Sequence, residues 1–261
     1  MPSVESTAPS GSLKHRLLTL SELELRARWL QAELPGWGPQ LASRILNELA
    51  GECEAAHSRA REAMVAVALC LVRMADEPWL RELSRETSSA RLLSLERLLR
   101  RGEIAPEEQA ELDQLRVPDY GAGRELSLGE RRALARRPER RHFDRLLGDP
   151  HPMVVQILLR NPRLTLDDVV RMTSRRPANR RVLREIVTSS RWVARSRVRL
   201  SVLLNPGAPD PLVMPFLPLC GRQELQELID SSRLPLVRRA TAHELLERRP
   251  PMAEPDALDV H

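Results

Sequence analysis

A helical pattern that recurs three times between Ser127 and Arg249 is the feature that most constrains this chain. The first copy covers residues 127–162, the second starts at Thr165, and a more diverged third starts near Leu212. The first two copies share an Arg-Arg-Pro tripeptide and a closing Asn-Pro dipeptide. Arg136 precedes Arg175 by 39 residues, and Asn161 precedes Asn205 by 44. A period of about 40 residues is typical of stacked helical repeats.

Each copy carries apolar residues at helical spacing, as Leu166, Val169 and Val170 do in the second. Such a unit buries its apolar stripe only against its neighbours, so we predict a short curved α-solenoid of about three repeats. Residues 127–249 resemble bacterial HEAT-like and leucine-rich-repeat-variant helical repeat proteins in period and apolar pattern. The resemblance implies a binding surface or scaffold and supplies no catalytic residues.

The composition predicts an all-α fold. Leu, Ala, Arg and Glu dominate, only 3% of residues are aromatic, and no alternating β-branched run is long enough for a strand. We therefore expect an N-terminal helical bundle, or a set of degenerate repeats, over 19–117, followed by a HEAT-like basic repeat domain over 127–249.

The remaining segments are predicted from local signals. Residues 1–18 should be a disordered tail and residues 250–261 a flexible acidic tail. Ser21 and Glu24 match a capping box, and apolar residues over 40–75 predict one long helix or two that meet near Gly51. A further helix is expected from Pro106 to Leu115, and a hinge over 116–124.

Charge is distributed unevenly along the chain. Residues 1–125 carry 16 basic and 20 acidic groups, residues 126–249 carry 25 and 13, and residues 250–261 carry three acids alone. The repeat half therefore has a net charge of +12 between acidic flanks, which indicates an anionic partner. Lys14 is the only lysine, a bias that GC-rich coding in a bacterium would explain.

Several classes of protein are excluded by absent signals. Cys53, Cys70 and Cys220 lack metal-type spacing and are odd in number, so neither a disulfide framework nor a zinc site is expected. The N-terminus lacks the apolar segment of a signal peptide, and no apolar run could span a membrane. We expect a soluble, cytoplasmic protein.

Candidate catalytic groups have simpler structural interpretations. Glu54 and His57 have a spacing found in di-iron bundles, but no second copy of the motif exists, so a solvated helix face is expected. Asp167 and Asp168 open a helix, where acidic residues stabilise the positive end of the dipole. No phosphate loop or nucleophile elbow is present, so we predict a non-enzymatic protein without a cofactor.

The arginine pairs are the strongest functional signal. Each Arg-Arg-Pro in the first two copies is followed closely by a second pair, and stacking of the repeats should align all of them on one ridge. The predicted site for an anionic partner consists of Arg136, Arg137, Arg140, Arg141, Arg175, Arg176, Arg180 and Arg181. The alternative is that these side chains only cap helix C-termini, which contributes about 0.3 to 1 kcal/mol each.

Two functions follow from this pattern. The first is an interaction scaffold whose repeats bind an acidic protein or segment. The second is a nucleic-acid-binding protein whose arginine ridge contacts phosphates, with an affinity that falls steeply with salt. Base stacking has little support, because the stretch from 131 to 199 contains only Phe143 and Trp192 as aromatic residues.

Overall fold

The computed structural model describes residues 9–102, 116–176 and 179–250, and all regular secondary structure in this part of the chain is helical, without a strand. The first half contains α1 (Pro9–Thr19), α2 (Leu23–Glu33), α3 (Gly38–Glu54), α4 (Ser58–Arg73), α5 (Pro78–Ser89) and α6 (Leu93–Leu99). A short 3-10 turn, Leu34–Trp37, joins α2 to α3. None of the described helices is both long and apolar enough to cross a membrane.

The second half contains ten further helices among the described residues. They are α7 (Leu128–Arg136), α8 (Phe143–Leu146), α9 (Pro152–Leu159), α10 (Leu166–Thr173), α11 (Arg180–Val187), α12 (Ser190–Val193), α13 (Ser196–Leu203), α14 (Asp210–Val213), α15 (Arg222–Asp230) and α16 (Leu236–Arg248). Short 3-10 segments, Arg140–His142 and Met214–Leu219, precede α8 and follow α14. The helix expected from Pro106 to Leu115 and the acidic tail beyond Pro250 lie outside the described residues.

Helix α1 differs from the disordered tail expected over residues 1–18. The chain is helical from Pro9, and Leu13 and Leu17, one helical turn apart, are both buried. They pack α1 against α3 and α4. Two apolar residues at this spacing suffice because a groove between two other helices receives them, which the local sequence does not reveal.

Helix α4 is the central helix of the first half. Every residue from Ala66 to Val72 is buried, and the helix contacts α1, α2 and α3 as well as the segment 214–219 from the second half. The apolar stretch over 40–75 forms two helices, but they part at Ala56, whose φ of 65° breaks the helix, rather than at Gly51. The capping box expected at Ser21 is absent, since Glu22 is the N-cap and makes no side-chain bond there.

The two halves share one continuous apolar core. The segment 214–219 is buried throughout and packs on α3, α4 and α6. At the edge of this junction the Gly102 amide donates to Asp210 Oδ2 over 2.7 Å. A Cβ at Gly102 would lie 2.8 Å from the same oxygen, so a larger residue there would displace the Asp210 carboxylate.

The first two repeat copies are locally equivalent. Ser127 with Glu130, and Thr165 with Asp168, form capping boxes 38 residues apart, which confirms a capping role for Asp168. At the other end of each unit, Asn161 Nδ2 donates to the Ala135 and Arg137 carbonyls.

Asn205 repeats the Asn161 contact on the Thr173 and Arg175 carbonyls. Both asparagines are buried and join the end of the last helix of a copy to the end of its first helix. In these hydrogen bonds the Arg137 carbonyl is equivalent to the Arg175 carbonyl. The sequence aligned Arg136 with Arg175, so the Arg-Arg-Pro tripeptides are offset by one residue in the structure.

Successive copies nevertheless run in opposite directions. Helices α7 and α9 both end beside Asn161, whose side chain donates to the Ala135 carbonyl near the end of α7. Helix α10 begins at the same end of α9, because Arg140, which follows α7, bonds to Asp168 in the first turn of α10. Helix α10 ends at the opposite end of α9, because Asn179, beyond α10, donates to the Pro150 carbonyl just before α9 begins. The second copy therefore begins at the end of α9 where the first copy finishes, and α10 runs opposite to α9.

Candidate anion-binding sites

Many arginines in this protein are part of its interior. Arg249 is buried, and its two Nη atoms donate to the carbonyls of Cys53, Glu54, Pro218 and Cys220 at 2.5 to 3.0 Å. Arg238 is fully buried and binds the Leu203, Asn205 and Ala208 carbonyls together with Asp210. These side chains satisfy carbonyls that helix ends leave without a partner. Arg238 and Arg249, which lie outside the eight predicted site residues, thus act as structural caps.

The first group of predicted site residues lies at the C-terminal end of α9. Arg136, Arg137, Arg140 and Arg141 occupy the turn from α7 to α8, and we call them the first arginine cluster. Arg140 is neutralised here, because its Nη atoms contact both carboxylate oxygens of Asp168 at 2.9 and 3.0 Å. Its guanidinium also lies 4.9 Å from the centre of the Phe143 ring.

Positive charge accumulates around the first arginine cluster. The pKa of His142 lies below its ordinary value because of burial and because Arg141, Arg145 and Arg137 are close to it. Arg136, Arg137 and Arg141 are exposed and form no ion pair with a described residue. The cluster thus keeps a net positive charge after the Arg140 pair is discounted.

The second group lies at the N-terminal end of the same helix, α9. Arg175, Arg176, Arg180 and Arg181 occupy the turn from α10 to α11, and we call them the second arginine cluster. The Arg175 guanidinium lies against Gly148, where a Cβ would be only 3.1 Å from its Cζ.

Arg176 bonds to the Ser174 and Leu204 carbonyls. Its pKa is lowered by burial and then by Arg233, which comes from the third copy. No carboxylate among the described residues pairs with Arg175 or Arg176. The Arg233 guanidinium therefore adds to a positive charge that is not neutralised.

The eight arginines therefore do not form one ridge. Helix α9 separates the two clusters, and its 8 residues correspond to a length of about 12 Å. The expectation of a single ridge assumed that all copies point the same way. The reversal of direction between copies places equivalent turns at opposite ends.

A pocket of about 200 Å³ adjoins the second arginine cluster. Leu147, Met172, Val182 and Leu183 supply its apolar lining, and Arg175, Arg176 and Asn179 its polar lining. Asp149 also lines it, but that carboxylate is already bonded to Arg131 and to the Tyr120 hydroxyl. The pocket thus offers an apolar interior beside two guanidinium groups.

The other candidate groups of the sequence serve structural roles. Glu54 is buried and binds Ser94, Arg97 and Arg248, which uses the carboxylate that a metal would need. No group of three metal-ligating side chains exists among the residues that the structure describes. Burial raises the pKa of all three cysteine thiols, Cys53, Cys70 and Cys220, to about 12, so each stays protonated at neutral pH.

No family model, no curated protein and no solved structure matches this chain. Its candidate sites are therefore defined by its own geometry.

Sequence reasoning missed two residues that lie beside the second arginine cluster, Arg233 and Gly148. Arg233 follows Ser231-Ser232, a dipeptide that also precedes Arg191 in the second copy, so the repeat itself carried a signal for it. Gly148 had no signal in the sequence. Its importance comes from the guanidinium that packs on it, and that contact spans residues far apart along the chain.

Proposed function

We propose that this protein is a non-enzymatic interaction scaffold that binds an acidic protein segment at the second arginine cluster and its adjoining pocket. In this proposal residues 127–249 form a short HEAT-like α-solenoid whose copies alternate in direction, and the N-terminal half caps one side of it. The observation that carries the proposal is a pair of arginines, Arg175 and Arg176, that have no carboxylate partner among the described residues and lie beside an apolar pocket.

The chemistry of the pocket favours a mixed apolar and acidic ligand. An aliphatic side chain of the partner would fill the space between Met172 and Leu183, while a neighbouring carboxylate would meet Arg175. Guanidinium and carboxylate groups form paired, charge-assisted hydrogen bonds, roughly twice as strong as neutral ones. The positive charge of Arg233, which lies near Arg176, raises the local potential.

A protein partner fits this geometry better than nucleic acid does. A phosphate backbone needs a continuous basic track, whereas the two clusters lie at opposite ends of α9. Phe143 and Trp192 are both buried, with Arg140 and Arg191 over their rings, so neither presents a stacking surface. Binding of duplex DNA is the outcome that would favour the other function.

The test is a fluorescence anisotropy titration of the full chain with a labelled peptide of alternating Leu and Glu. A poly-Glu peptide of equal length and a DNA duplex of about 20 base pairs are titrated in parallel, at about 50 and 200 mM salt. We expect the Leu-Glu peptide to bind most tightly, since poly-Glu lacks an apolar anchor. Arg175→Ala with Arg176→Ala should weaken that binding at least about tenfold.

Two control variants keep the site assignment testable. Arg81→Ala with Arg85→Ala removes two exposed arginines of α5, and Arg136→Ala with Arg137→Ala removes part of the first arginine cluster. Both should leave peptide affinity nearly unchanged, with folding checked by circular dichroism. Equal loss in all three variants, or tighter binding of DNA than of either peptide, would overturn the proposal.

A further inference from the structure

A groove of about 560 Å³ lies between the two halves of the molecule, which is the size of a small-molecule site. Helices α2 and α4 contribute one side, and the C-terminal ends of α9 and α11 contribute the other. It opens near the end of α9 at Leu159, whereas the pocket beside Arg175 lies near the other end of that helix. The two sites are therefore separate.

One side of the groove is fixed by an ion pair. Arg73 Nη2 contacts Glu24 Oε2 at 2.7 Å, and the same guanidinium donates to the Thr188 carbonyl from Nε and Nη2. The hydrogen bond from Arg73 is the main reason that the pKa of Glu24 falls to about 2. Glu24 and Arg73 are already bonded in these contacts, so neither is free to bind a ligand.

Three other guanidinium groups line the groove with donors that no described contact uses. Arg28 uses only its Nε, on Glu24. Arg191 lies 4.5 Å from the Trp192 ring centre and uses one Nη for the Leu159 and Asn161 carbonyls. Arg160 is exposed and forms no hydrogen bond with a described residue through its side chain. Arg191 bonds to the carbonyl of Leu159, the residue before Arg160, and both arginines line the groove.

A partly buried carboxyl group completes the lining. Burial raises the pKa of Glu185, and Arg184, Arg160 and Gln156 oppose that shift. Arg184 is itself paired with Asp76 at 2.6 Å, which leaves Arg160 as the open positive neighbour of Glu185. The groove thus combines an acceptor, Glu185, with several unused guanidinium donors.

We propose that this groove binds a small organic anion whose phosphate or carboxylate is held by Arg160 and Arg191. Hydroxyl or amino groups of the ligand donate to Glu185. Arg28 closes the outer side, where its long side chain is mostly exposed. The role of this groove does not depend on the peptide site beside Arg175.

The test uses thermal unfolding and calorimetric titration of the full chain with four probes at about 10 mM: inorganic phosphate, glucose 6-phosphate, glutamate and glucose. We expect glucose 6-phosphate or glutamate to raise Tm, and the better of the two identifies the anionic group. Glucose, which is neutral, should have no effect, and inorganic phosphate should bind more weakly than the organic anion because it offers fewer donors to Glu185.

Variants connect the effect to the groove. Arg160→Gln should weaken binding of the stabilising probe about tenfold, and Glu185→Gln by a smaller factor. Arg195→Gln, an exposed arginine outside the groove, is the matched control. The proposal is overturned if no probe raises Tm, or if Arg160→Gln and Arg195→Gln behave alike. Arg175→Ala with Arg176→Ala should leave this binding intact, which separates failure here from failure of the peptide site.

Discussion

At the scale of single residues, Arg249 shows how this protein uses buried guanidinium groups. Its donors reach α3 through the Cys53 and Glu54 carbonyls and the segment 214–219 through Pro218. A guanidinium can satisfy several carbonyls at once because its donors lie in one rigid plane. Lysine could not serve this purpose, since its charge is concentrated on a single atom.

Replacing Arg249 with methionine should be among the most damaging single changes. It would remove the guanidinium donors that four carbonyls accept from at a buried junction, and we expect the free energy of unfolding to fall by about 3 kcal/mol. Urea denaturation followed by circular dichroism measures the loss. Arg195→Met removes an exposed arginine and should cost less than about 0.5 kcal/mol. Similar costs for the two variants would show that the buried contacts contribute little.

Glu24 should make stability depend on pH in acid. Its pKa of about 2 in the folded chain lies below the unfolded value of about 4.3. The stabilisation is therefore complete above the unfolded pKa and disappears as pH falls toward 2. Because the side chain is 30% exposed, we discount it to about 1 kcal/mol.

The measurement compares the free energy of unfolding of the wild type and Glu24→Gln between pH 7 and pH 2. The difference should be greatest at pH 7 and shrink below about pH 4. Glu22→Gln, an exposed neighbour without a side-chain bond at its helix end, should show no such trend. A gap between the wild type and Glu24→Gln that stays constant with pH would contradict the assignment.

At the scale of elements, the two buried asparagines define the repeat more sharply than its apolar residues do. Asn161 donates to the end of α7 and accepts the Arg163 amide, while Asn205 donates to the end of α10 and accepts the Gly207 amide. Each side chain joins two parallel helix ends and fixes the turn that follows. This explains why the asparagine recurs although the spacing between the helices varies.

Asn161→Ala and Asn205→Ala should each lower the free energy of unfolding by about 2 kcal/mol, because buried carbonyls lose their donor. The corresponding changes to aspartate should cost more at neutral pH, since a carboxylate would face two carbonyl oxygens. Chemical denaturation gives both values, with the exposed Gln226→Ala as control. If the alanine and aspartate variants are equally stable, the N–H groups of the asparagine side chains do not account for the stabilisation.

At the scale of the whole molecule, polar contacts as well as apolar packing join the two halves. Arg97 and Arg100 both bind Glu244 in α16, Arg61 donates to the Leu219 carbonyl, and Arg184 pairs with Asp76. Leu217 is fully buried at the centre of this junction. The halves should therefore unfold together.

Single-tryptophan variants test this cooperativity. A chain that keeps only Trp79 reports on the first half, and one that keeps only Trp192 reports on the second. We expect coincident urea midpoints, and Leu217→Ala should lower both by the same amount, with a cost of about 2 to 5 kcal/mol. Separate midpoints for the two probes would instead show two independently folding units.

The sequence by itself determined the helical character of the chain, the local equivalence of its first two repeat copies and the basic charge of its second half. Apolar spacing and capping residues act within a few turns, so they are readable without the fold. Only the tertiary structure decided that α1 is helical, that the buried Arg238 and Arg249 cap helix ends, and that the predicted arginines divide into two clusters. These outcomes depend on which helix ends meet. Local periodicity fixes the buried face of a helix and leaves the direction of the next one undetermined.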